Sequence, residues 1–117
     1  MLLDKLTIAV TDGPAMVAFY NAVFDAKLQA IEGTPFHIGE IAGVALMFCP
    51  NDILEIEADK NRIQLRFTVD DIERVVQLAE ANGGRAYGDR HDDEVAILWG
   101  ISDPDGNSIE LRQVLSK

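Results

Sequence analysis

Between Leu6 and Val10 apolar residues occupy every second position, and the same alternation returns between Leu65 and Val69. A period of two marks a strand that lays one face on a core and turns the other away from it. A shift of 59 positions lays Leu6-Thr7-Ile8-Ala9-Val10-Thr11-Asp12 over Leu65-Arg66-Phe67-Thr68-Val69-Asp70-Asp71, apolar on apolar. Both segments run into an acidic turn and then into a pattern of helical period, so the chain reads as two copies of one supersecondary unit.

In the first copy Met16, Phe19, Tyr20 and Val23 recur at the spacing of one buried helix face, with Asp12 as the cap and Pro14 in the first turn, where its missing N–H costs nothing. In the second, Asp70 and Glu73 have capping-box spacing, Ile72, Val75, Val76 and Ala79 form the stripe, and Asn82-Gly83-Gly84 is the stop. A helix with one apolar stripe needs an apolar partner, so each must cover one face of a sheet. Three short strand candidates follow each helix: Lys27 to Ile31, Phe36 to Ile41 and Val44 to Cys49, then Arg85 to Tyr87, Val95 to Ile101 and Ser108 to Val114. Asp103-Pro104-Asp105-Gly106-Asn107 is a dense turn signal before the last of them, and Asp89 to Glu94 reads as an exposed hairpin tip.

The second half, with Val69-Asp70-Asp71 closing a strand, a helix, Asn82-Gly83-Gly84 and then Asp103-Pro104-Asp105-Gly106-Asn107-Ser108-Ile109-Glu110-Leu111, resembles the C-terminal module of the glyoxalase, bleomycin-resistance and extradiol-dioxygenase superfamily. Phe19-Tyr20-Asn21 with Leu28 is similar to the signature of that superfamily's first module. Asp-Pro-Asp-Gly alone is a common turn; its place before a strand carrying Glu110 makes it specific. The resemblance extends over nearly the whole chain. It implies an α+β fold of two βαβββ modules, about 1–58 and 59–117, related by approximate twofold symmetry within a single domain 1–117. It further implies a homodimer around a ligand crevice.

Metal-dependent members hold their ion at four strand positions. Carried over by the resemblance, these are Lys5, Met47 or a neighbour, Gln64 and Glu110. Only Glu110 keeps the expected type. An ammonium has no lone pair for a cation, a thioether is too soft for Mg²⁺ or Mn²⁺, and Gln64 with Glu110 supplies fewer ligands than a catalytic centre uses. No metal and no other cofactor is expected. His37 and His91 have no partner at ligand spacing.

Alternation separates a second set of residues from the core: Lys5, Thr7 and Ala9, then Gln64, Arg66 and Thr68, then Ser108, Glu110 and Arg112. These furnish a candidate ligand face of Lys5, Gln64, Arg66, Thr68, Arg112 and Glu110, which His37 can also line and Trp99 can wall. Glu110 there either holds the polar end of a ligand, acts as a general base, or forms a static ion pair with Lys5 or Arg66. Phe36, Phe48 and Tyr20 are read as packing residues.

Composition narrows the partners. Of 117 residues 48% are hydrophobic and 26% charged, a globular balance with no low-complexity tract. Twenty acidic against ten basic residues give a formal net charge of −10, which disfavours nucleic acid and anionic membranes and favours a cationic ligand. Met1-Leu2-Leu3 runs straight into Asp4 and Lys5, so a cytoplasmic location is expected, and the single Cys49 reads as a buried thiol. No phosphate-binding glycine loop follows a strand. The leading reading is a metal-independent protein that sequesters a cationic or polar small molecule. Its rivals are a lyase or isomerase of glyoxalase type with Glu110 as base, and an interaction protein with a vestigial cavity.

Overall fold

The computed structural model describes residues 1–61 and 63–115. They form two compact units, Met1–Asp59 and Lys60–Lys117. The first runs β1 (Lys5–Val10), α1 (Gly13–Phe24), β2 (Gln29–Ala30), β3 (His37–Ile41) and β4 (Val44–Pro50). The second runs β5 (Leu65–Thr68), α2 (Ile72–Ala81), β6 (Arg85–Asp92), β7 (Ala96–Ser102) and β8 (Ser108–Val114). Sheet order is β1-β4-β3-β2 in one and β5-β8-β7-β6 in the other, so the last strand of each unit lies beside its first. That pairing is parallel and the others antiparallel, which makes each unit a βαβββ module on a four-stranded mixed sheet.

In the first unit, Asp12 caps α1 by accepting from the Ala15 N–H at 3.1 Å, with Pro14 in the first turn. The helix buries Met16, Phe19 and Tyr20 against the sheet, and the Tyr20 ring meets Phe48 edge-on at 5.2 Å between centroids. Asn21 then clamps the following turn: its amide donates to the Leu28 carbonyl at 3.1 Å and its oxygen accepts the Leu28 N–H at 2.7 Å. This pair of hydrogen bonds gives the Asn21 and Leu28 of the sequence signature their structural meaning. Cys49 is a buried free thiol, and its burial, with the nearby Asp52 charge, pushes its pKa up.

In the second unit the cap is Asp71, one residue beyond the Asp70 that the spacing favours, and it accepts from the Arg74 N–H at 3.2 Å. The Ile72 N–H is free at that helix end and donates to the Gln113 side chain at 2.8 Å, which ties the start of α2 to β8. Ile72, Val76 and Ala79 are buried, and the helix stops where Gly83 turns left-handed at φ +93° and the Gly84 N–H returns to the Ala79 carbonyl at 2.9 Å. The turn at Asp103 is closed by its own buried polar groups: both Asp103 oxygens accept from Asn107, at 2.9 Å each.

The hairpin between β6 and β7 differs from the sequence expectation. β6 continues to Asp92 through the segment read as an exposed tip, and the turn falls at Asp93, which accepts the N–H groups of Val95 and Ala96 at 2.8 and 2.9 Å. Between the pairs Tyr87↔Gly100 and His91↔Leu98 the register shifts, leaving Gly88, Asp89 and Arg90 opposite Trp99. Arg90 stabilises this bulge by donating to Asp92 at 2.8 and 3.1 Å and to Glu73 of α2 at 2.6 Å while its guanidinium stands 5.8 Å from the Trp99 ring centroid. Among the described residues no helix is long and apolar enough to cross a membrane.

Candidate functional site

Because paired residues on neighbouring strands share a face, the register of each sheet sorts its residues into rows. In the second unit the apolar rows carry Ala86, Ile101, Ile109 and Leu65, and then Trp99, Leu111 and Phe67. Ile109 and Leu111 are 2% and 0% exposed, so this is the face that α2 covers. The opposite face has three rows. The first holds Arg85, Ser102 and Ser108, with Gln64 donating its amide to the Ser108 hydroxyl at 3.0 Å. The second crosses all four strands as Tyr87, Gly100, Glu110 and Arg66, and the third as His91, Leu98, Arg112 and Thr68.

The middle row is the chemically dense one. Arg66 Nη1 lies 3.3 Å from Glu110 Oε1, with the two side chains 57% and 39% exposed. Gly100 stands beside Glu110, and a β-carbon on it would meet the Tyr87 backbone oxygen at 2.7 Å and the Tyr87 ring at 3.3 Å. Only glycine therefore allows this close approach of the Tyr87 backbone, with the edge of its ring alongside. The Arg112 side chain, in the next row, has no hydrogen bond or ion pair with any described residue; it is felt electrostatically by Asp93. Asp93 is held below the usual carboxylate range, chiefly by the N–H bonds from Val95 and Ala96 and then by the Arg112 charge.

Of the residues expected at a ligand face, Gln64, Arg66, Thr68, Glu110 and Arg112 do share one face of one sheet. Lys5 lies on the first unit's sheet, exposed, opposite Ala45 and on the face that carries Thr7 and Met47. His37 pairs with Phe48, so it falls in the row Ala30, His37, Phe48 and Ile8 on the face that α1 covers. Trp99 pairs with Leu111 and stands against Arg90, on the face away from Glu110. Neither His37 nor Trp99 lines the polar face, which corrects their assignment to it. Conversely, Tyr87, Leu98 and Gly100 do belong to that face; the signal for Gly100 was a glycine inside an apolar strand, the usual mark of close backbone or ring approach.

The four positions that hold a metal in metal-dependent relatives have donors ill suited to one. Within their own sheets Met47 stands opposite Thr7 as Glu110 stands opposite Arg66. Lys5 has no lone pair to give, the Met47 thioether is soft, Gln64 offers a single amide oxygen while its nitrogen donates to Ser108, and a guanidinium already occupies Glu110 Oε1. Among the described residues no three His, Cys, Asp or Glu side chains gather as a metal site.

Residues 5–112 match the model of the glyoxalase-like domain. No protein of curated function matches the chain in sequence. Among solved structures it is similar to a glyoxalase/bleomycin resistance protein/dioxygenase family enzyme from Burkholderia phytofirmans PsJN, at 24% identity and TM-score 0.76, covering 97% of this chain and 98% of that one. It is also similar to the fosfomycin resistance protein FosX from Mesorhizobium loti, at 19% identity and TM-score 0.73, covering 98% and 92%. A third likeness is to a glyoxalase/bleomycin resistance protein from Albidiferax ferrireducens T118, at 18% identity and TM-score 0.72, covering 96% and 98%. At such identities the likeness is one of fold. With the family model spanning nearly the whole chain, and both units built as βαβββ modules, the chain belongs to the glyoxalase-like domain family.

Proposed function

We propose that this protein binds a polar small molecule without a metal, on the open face of the second unit's sheet. The observation that supports it most is the row Tyr87, Gly100, Glu110 and Arg66, in which an ion pair and an aromatic ring flank a position without a side chain. Small-molecule sites combine an apolar surface with a few convergent polar groups, and this row supplies both. Glu110 is held by Arg66, an arrangement that suits orienting a ligand better than abstracting a proton. On this reading the protein works as a homodimer, as members of the superfamily commonly do, and sedimentation at micromolar concentration tests that part.

A fragment screen by thermal shift on EDTA-treated protein tests the binding reading, because a ligand that binds only the native state raises the melting temperature by mass action. Hits are expected in EDTA and are expected to be lost in Arg66→Ala. Hits that need an added divalent ion, or that Arg66→Ala leaves untouched, contradict it.

A further inference from the structure

We infer that the ligand taken on this face is an acid with a flat apolar body, its oxyanion held by Arg112 and its ring laid beside Tyr87 over Gly100. The inference rests on the binding face proposed above and adds the chemical class. It begins with Arg112. A guanidinium offers five N–H donors in a planar fork, and among the described residues nothing takes them in a hydrogen bond. Its neighbours are already occupied. Glu110 accepts from Arg66, and Asp93 Oδ1 accepts the Val95 and Ala96 N–H groups. Arg112 is thus a half-buried cation whose donors no described residue takes, two rows from Arg85 and beside the paired Arg66 and Glu110. A planar fork of this kind matches a carboxylate or a phosphonate two bonds at a time.

The net charge of −10 argues the other way only at long range. Exposed charges beyond about 8 Å are largely screened at physiological salt, so the groups within one or two strands decide the sign of the ligand. There Arg66, Arg85 and Arg112 stand on the open face against two carboxylates, Glu110, which Arg66 offsets, and Asp93, which the Arg112 charge reaches from the neighbouring turn, so the cations remain in excess. The expectation of a cationic ligand, drawn from total charge, gives way here to the local balance.

The apolar body follows from the floor of the same site. Leu98 pairs with Arg112 in one row, and Gly100 precedes it in the next with the Tyr87 ring at its edge. Gly100 and Arg112 are diagonal neighbours, a separation of about 7–8 Å in a paired sheet, which is the length of one ring bearing one carboxylate. A ring placed there meets Tyr87 and Leu98, while its acid reaches Arg112.

The test uses the full-length protein in EDTA and ligand-observed NMR titration with benzoate, benzyl alcohol, benzylamine and inorganic phosphate. Benzoate is expected to bind about tenfold more tightly than benzyl alcohol, as a charge-assisted bond allows, with benzylamine and phosphate both weaker than benzoate. Arg112→Gln is expected to remove that tenfold preference and leave benzyl alcohol unchanged, Arg112→Lys to keep part of it, and Tyr87→Ala to weaken both ring compounds. Unchanged melting of the Arg112 variants shows that they fold. Tightest binding by benzylamine, or benzoate binding indifferent to Arg112→Gln, overturns the acid class. If benzyl alcohol or benzylamine binds in a Tyr87-dependent way and benzoate does not, the class falls and the face stands. If none of the four binds and the fragment screen is also blank, both fall.

Discussion

The two units cross the same topology with opposite furnishings. Through the centre of the first sheet's open face runs the row Gln29, Ile38, Met47 and Thr7; through the centre of the second runs Tyr87, Gly100, Glu110 and Arg66. On the helix sides the two agree: Leu46 and Phe48 in one, Ile109 and Leu111 in the other, all essentially buried. Core packing penalises any change of volume, so the helix side of a duplicated module is constrained in both copies. The other side carries no such constraint: the central row is charged only in the second copy, while the first has its charges, Lys5 and Glu40, in the row beside Ala45.

The largest effect expected from this contrast lies on the helix sides. Phe48→Ala should cost about 3–5 kcal/mol and Leu111→Ala about 2–5 kcal/mol in urea unfolding, because each leaves a cavity that its neighbours fill only in part. A loss under 1 kcal/mol for either would show that the two cores are not equivalent. Next in size is ligand binding: Thr7→Ala, in the first unit's open row, should leave benzoate affinity unchanged, whereas Arg112→Gln reduces it. Equal losses from both would erase the distinction between the two faces.

A smaller effect is tied to pH. Asp93 is held below the ordinary carboxyl value of 3.8, first by the Val95 and Ala96 N–H groups, and Asp92 likewise, first by its bond from Arg90. Stability from such groups is present above the ordinary value and is lost as pH falls through the lowered one. The melting-temperature gap between wild type and Asp93→Asn should therefore be widest near neutral pH and close on acidification below 3.8. A gap that widens in acid would mean that the charge of Asp93 is unfavourable in the folded hairpin. The smallest effect is at Glu110. As an exposed pair with Arg66 it is worth under about 1 kcal/mol, so Glu110→Gln should barely alter stability, and a loss of several kcal/mol would reveal a buried role.

How much of this the sequence shows depends on whether a strand alternates. Leu65 to Val69 and Ser108 to Arg112 alternate strictly, and the faces of Arg66, Glu110 and Arg112 follow from period two. Phe36 to Ile41 mixes apolar and polar residues without a clean period, so the side of His37 became visible only through its pairing with Phe48. Trp99 could have been placed, since Ile97, Trp99 and Ile101 share one parity, but its size drew it toward a pocket role. Tyr87 was out of reach, because its position depends on where the β6 bulge begins, and a bulge is settled by partners distant in the chain. The cap of α2 moved by one residue for a similar reason: Asp70 and Asp71 are both good caps, and only the backbone decides between them.

The claim that the second unit alone presents a ligand face is tested most directly by mapping amide chemical shifts while benzoate is titrated into ¹⁵N-labelled protein in EDTA. The account predicts saturable shifts at Gly100, Glu110, Leu111 and Arg112, with Thr7, Ile38 and Met47 unmoved. Shifts centred on Thr7 and Met47, or shifts that appear only after a divalent ion is added, would contradict it.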